Sequence, residues 1–252
     1  MKSDKTDRLI VKKCKKVGIL CHKWRIVMKL TKEQVQADID ALPKNYKTKD
    51  VDKLIKRYVK EQADVSVLRE YVLLEQQFHR IYYYVTLNQI KDIDERMKFI
   101  HNNLLFNDWW HTDELIGYVC DLNFEKAFSY AKNYVKSTDP FIRRWGYVMF
   151  ISKQCIGHAK ELLQLMHNDE HYYVQMAEAW LITELAVFEP EVVYEWFLSN
   201  ELNYNINGKV IQKISDSYRI SEEWKEQYKG LRNEFKKKNR QLVYCTREFY
   251  KK

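Results

Sequence analysis

Asp139-Pro-Phe-Ile-Arg-Arg-Trp-Gly-Tyr-Val148 and, about 32 positions later, Asp169-Glu-His-Tyr-Tyr-Val-Gln-Met-Ala-Glu-Ala-Trp180 are two versions of one pattern. Each opens on an acidic turn, reaches an apolar residue (Ile142 or Val174), and continues through polar and small residues. In the first, Pro140 follows an acid, where its fixed φ and missing N–H suit the first position of a helix. Helical units that recur in this way bury their apolar faces only by stacking on one another. The expected fold is all-α, a HEAT-like α-solenoid of antiparallel helix pairs, although this period is short for a HEAT unit.

Outward from these units the same texture holds. Amphipathic segments with short breaks are predicted at 32–42, 49–61, 65–86, 92–105, 112–119, 124–136, 140–152, 157–166, 172–187, 190–199, 206–217 and 221–238. Thr31-Lys-Glu-Gln34 has the spacing of a capping box, Glu189-Pro190 repeats the acid-proline start, and Ser221-Glu-Glu places an N-cap before two acids. Composition agrees: 6 Gly and 3 Pro in 252 residues are too few for a turn-rich β-sandwich or a disordered chain.

The net charge of +8 is unevenly spread. Residues 1–30 carry ten Lys/Arg against Asp4 and Asp7, and residues 229–252 carry nine against Glu234 and Glu248, so the body between them is −7. Bulk basicity therefore describes the ends and not the fold. The expected organisation is a basic N-terminal arm (1–30), a helical-repeat domain (31–228) and a basic C-terminal helix or tail (229–252). Met28 is a candidate start; without residues 1–27 the net charge is +1. Five cysteines at irregular spacings, with no C-x-x-C pair, fit a reduced cytoplasmic setting. The longest N-terminal apolar run, Val17–Cys21, suits neither a signal peptide nor a membrane span.

Four segments carry candidate chemistry. In Phe106-Asn-Asp-Trp-Trp-His-Thr-Asp-Glu114, Asp113 follows Trp109 by four residues, so an indole and a carboxylate can share a helical face and stabilise a developing cation. The competing reading has Thr112 or Asp113 capping the next helix while Trp109 and Trp110 fill the core. Arg143 and Arg144 point about 100° apart on a helix, so at most one faces a groove as a phosphate clamp, and a solvated pair is equally compatible. The aromatics of Tyr172–Trp180 have core spacing, and Arg80-Ile-Tyr-Tyr-Tyr84 suits either nucleic acid or a buried face. No Gly-rich phosphate loop, nucleophile elbow or H-E-x-x-H is present, and no histidine pair has metal-ligand spacing with acidic support. No metal or cofactor is expected.

Taken in order, three blocks resemble the AlkD-like DNA alkylation repair family of helical-repeat DNA glycosylases. Trp109-Trp-His-Thr-Asp113 is similar to the family's Trp-x-x-x-Asp, and Asp139–Phe150 to its Asn/Asp-x-hydrophobic-x-Arg helix. The third block is Tyr172–Leu185 followed by Pro190–Leu198, with Asn207–Ser221 similar to the closing helix pair. The likeness spans roughly residues 65–225. It implies a monomer whose concave groove binds duplex DNA with alkylated bases and hydrolyses the N-glycosidic bond of cationic purines such as 3-methyladenine or 7-methylguanine. By position, Trp109 and Trp180 would pack on the lesion's deoxyribose, Asp113 would be the catalytic carboxylate and Arg144, with Arg143 beside it, would contact the DNA backbone.

Two departures accompany the likeness. A basic residue that some active members carry after the second tryptophan is matched by Thr183, and the family's Gly-Val-Arg-x-Pro-like element has no counterpart within 44–57. A non-catalytic member binding damaged or branched DNA or a protein partner is the alternative, and a purely structural scaffold is the third reading.

Overall fold

Thr31 accepts from the Gln34 amide while the Gln34 side chain accepts from the Thr31 amide, closing the capping box read in the sequence. It starts the first helix of a computed structural model that describes residues 28–238. Twelve α-helices follow among the described residues: α1 (Lys32–Asp40), α2 (Thr48–Glu61), α3 (Gln76–Gln89), α4 (Ile93–Asn102), α5 (Trp109–Asp113), α6 (Phe124–Tyr134), α7 (Pro140–Val148), α8 (Ala159–Leu163), α9 (Tyr172–Phe188), α10 (Pro190–Ser199), α11 (Tyr204–Asp216) and α12 (Glu222–Lys238). Short 3₁₀ turns lie at Ser66–Tyr71, Ile116–Tyr118 and Lys153–Cys155. No strand occurs among these residues beyond an isolated bridge between Lys29 and Asp64, so the fold is all-α.

The helices contact in a regular order. Sequence neighbours pair as α2 with α3, α6 with α7, α9 with α10 and α11 with α12, while α5, α7, α9 and α11 form a second row in which each touches the next. Pairs stacked along such a row are compatible with the expected solenoid. The core beneath is continuous, with Trp145, Tyr147, Phe150, Leu181, Phe197 and Ile211 fully buried. Pro140 and Pro190 both stand in the first turn of their helices. The Asp139 side chain accepts from the amides of Phe141 and Ile142, whereas the Glu189 carboxylate accepts from the Ala159 amide and so joins α10 to α8.

Two of the expected helix bounds change. The segment 65–86 is not one helix: it divides into the 3₁₀ turn and α3, because the chain leaves helical geometry at Glu75 although no Gly or Pro marks the break. The segment expected at 112–119 begins earlier, at Trp109, because Asp108 is the cap and takes the place assigned to Thr112 or Asp113. At the domain edges, the Leu30 amide donates to Asp64 and its side chain is buried, while α12 runs unbroken through residue 228 and buries Leu231 and Phe235. Residues 1–27 of the expected arm and 239–252 of the expected tail lie outside the described residues. None of the helices searched among the described residues is long and apolar enough to cross a membrane, and no group of three or more His, Cys, Asp or Glu among them could hold a metal.

Candidate active site

The short helix α5 is held at its start. Asp108 accepts from the Trp109 amide, and Nδ1 of His111 accepts from the amides of Asn107 and Asp108, so the ring satisfies donors that a helix start leaves open. His111 is buried with its ring against those of Trp110 and His79, Trp110 is half-buried, and Trp109 is 38 % exposed. One turn on, Asp113 falls on the same face as Trp109.

Arg144 of α7 approaches from below. Its Nη2 donates to Asp113 Oδ1 at 2.7 Å, its Nε to Thr112 Oγ1 at 3.0 Å and its Nη1 to the Tyr173 carbonyl at 2.7 Å. The guanidinium thereby ties α5 and α9 to α7, and Arg144 as a whole is only 3 % exposed. Asp113 Oδ2 has no hydrogen bond from the protein among the described residues. In α9, Tyr172, Met176 and Trp180 recur every fourth residue and form a stripe. Together with Tyr173 and with Lys213 from α11, they line the same cavity of about 230 Å³ as Trp109, Asp113 and Arg144. The row α5, α7, α9, α11 thus contributes at least one side chain from every helix.

Trp109, Asp113, Arg144 and Trp180 are therefore brought together, and Arg143 is not. Arg143 turns away, as the 100° step requires, donating to Asp169 from Nε (2.6 Å) and Nη2 (3.2 Å) and to the carbonyls of Ser137 and Thr138. Burial opposes ionisation of Asp169, but hydrogen bonds from His167 and Arg143 hold its carboxyl well below the usual range. The neighbouring Glu178 is fully buried, and desolvation pushes it up to about 8 against the attraction of His167. Thr183 is buried, its hydroxyl donating to Ala179, so it presents no polar group to the cavity wall. The Arg80–Tyr84 segment follows its packing reading, with Ile81, Tyr82 and Tyr83 buried and Arg80 ion-paired to Asp52 and Glu114.

Sequence reasoning did not single out Lys213. Its Nζ lies 5.7 Å from the Trp180 ring centroid, and desolvation, reinforced by Arg144, lowers its pKa. Lys209, one turn earlier, stands over Tyr172 at 5.3 Å and donates to Gln175. The spacing of these lysines was the available signal, but alone it describes any solvated helical face.

A family model described as DNA alkylation repair enzyme matches residues 45–207, about two thirds of the chain. The chain belongs to that family. The DNA alkylation repair match begins some twenty residues before the likeness seen in the sequence and includes the lysine-rich 45–57 stretch that lacked a recognisable element. It covers Trp109, Asp113, Arg144 and Trp180 and ends before Lys213. A search of curated proteins finds no match to the chain. Membership gives this protein a role in DNA alkylation repair.

Proposed function

We propose that the cavity is a DNA glycosylase site that hydrolyses the N-glycosidic bond of cationic alkylated purines in duplex DNA. The observation that carries this reading is the convergence of Trp109, Asp113 and Trp180, from helices far apart in sequence, around one open cavity. The two indoles provide flat walls for a deoxyribose, and their faces attract positive charge. The C1′–N bond breaks with its electron pair passing to the purine, which leaves as a neutral base and needs no general acid. Positive charge grows on the sugar, where the Asp113 carboxylate stabilises it electrostatically. Water then bonds to C1′ and releases its proton to Asp113 Oδ2 or to solvent.

Arg144 serves here as a positioning residue: with three donors engaged inside the protein, it fixes the carboxylate in place instead of reaching outward to the DNA backbone. The chain is expected to act as a monomer without metal or cofactor. A second reading, binding of damaged DNA without cleavage, is favoured by Thr183, which supplies no cation to the site. Chromatography of a reaction with a duplex containing 7-methylguanine separates the two. Release of free base supports the glycosylase; tight binding without release supports the second reading.

A further inference from the structure

We infer that Lys213 holds a DNA backbone phosphate beside the nucleotide in the cavity, an inference that rests on the proposed DNA-binding role of this site. The cavity presents two cations, Arg144 and Lys213, to a single carboxylate, Asp113. Asp113 is already paired with Arg144 at 2.7 Å. Lys213 makes no direct hydrogen bond or ion pair among the described residues: it faces the Trp180 ring, and Asp113 and Asp216 attract it only from a distance. A half-buried ammonium with no carboxylate in direct contact is disfavoured, and the residues that line the cavity carry one more cation than anion. An alkylated purine is itself cationic, and an uncompensated ammonium beside it would oppose binding. A phosphodiester against Lys213 removes that repulsion and completes the charge balance while the aromatic walls take the sugar.

The test uses the full chain and duplexes carrying one 7-methylguanine, with uncharged methylphosphonate linkages placed singly on either side of it. For the wild type, one such linkage should weaken binding several-fold, and Lys213→Gln should show no further loss with that linkage. The same substitution should reduce the slope of log K against log salt by ~0.9, the release expected for one phosphate contact, while Lys213→Arg keeps the wild-type slope. Millimolar inorganic phosphate should compete with the wild type no better than with Lys213→Gln; stronger competition would mark a free-anion site and overturn the inference. Equal sensitivity of both proteins to every linkage, or an unchanged slope, with wild-type binding intact, would also overturn it. Absence of duplex binding by the wild type at low salt would instead sink the proposed function, and this inference with it. Matching thermal melts exclude misfolding of the variants.

Discussion

Nη2 of Arg144 stands 2.7 Å from Oδ1 of Asp113, and the same guanidinium reaches Thr112 and the Tyr173 carbonyl. One side chain thus fixes the candidate carboxylate and the two helices that carry the indoles. Geometry and stability are joined at this residue, and substitutions separate them.

Arg144→Met removes every donor at once and leaves the Tyr173 carbonyl and Asp113 without their partner. It should lower stability by about 3 kcal/mol, as for breaking a largely buried pair, and abolish measurable excision. Asp113→Asn keeps an acceptor oxygen for Nη2 and the other two contacts of the guanidinium but removes its charge partner, so it should cost less than Arg144→Met, about 1–2 kcal/mol. Urea unfolding of the two variants checks the contrast; equal losses would mean that the clamp is not organised around Arg144.

Gly146 lies where α7 crosses α6, and a Cβ there would meet Val135 Cγ1 at 2.8 Å and Tyr134 Cβ at 3.2 Å. Gly146→Ala should therefore destabilise by roughly 1–3 kcal/mol through overpacking. Two residues from Arg144, the displacement should also slow excision. A melting temperature equal to wild type would show that this crossing tolerates a methyl group.

His79 and His111 are buried with their pKa values pushed down to about 3, chiefly by desolvation, with Arg80 acting on His79 and His79 on His111. Below the ordinary 6.5 an unfolded chain takes up protons that the folded chain refuses, so stability falls as the pH drops from 6.5 towards 3. Each histidine contributes a slope of at most about 1.4 kcal/mol per pH unit. Unfolding of His79→Leu between pH 6 and 4 should be flatter than wild type by about that slope; parallel curves would contradict the burial of a neutral His79.

Glu178 has the opposite sign. Its folded pKa, raised to about 8, lies above the unfolded value of 4.5, so its contribution declines as the pH rises from 4.5 to 8. Glu178→Gln keeps an acceptor for the His167 amide and removes the ionisable group. The variant should gain on the wild type steadily across that interval, and a constant difference at pH 5 and pH 8 would show that Glu178 is not held protonated.

Much of this site is legible in the sequence where the signal is local. The four-residue step from Trp109 to Asp113 lies within one helix, and the divergence of Arg143 from Arg144 follows from helical geometry alone. The cap of α5 is not legible in the sequence because Asp108, Thr112 and Asp113 are all good cap residues, and the ring of His111 decides among them only through contacts in space. The break after Tyr71 is hidden because apolar Val72, Leu73 and Leu74 continue the helical texture. Tyr172, Met176 and Trp180 have core spacing, yet they wall a cavity because the neighbouring helix brings Lys213 there. Such a juxtaposition joins residues over a hundred positions apart in sequence, and no local pattern encodes it.

The central claim is that Asp113 stabilises the positive charge that grows on the sugar as the purine departs. Single-turnover release of 7-methylguanine from duplex DNA, compared between wild type and Asp113→Asn at equal DNA affinity, tests it most directly. A rate lowered roughly 10²–10³-fold in the variant is the predicted result, the usual effect of removing one electrostatic stabiliser. Equal rates would remove Asp113 from the chemistry and contradict the account.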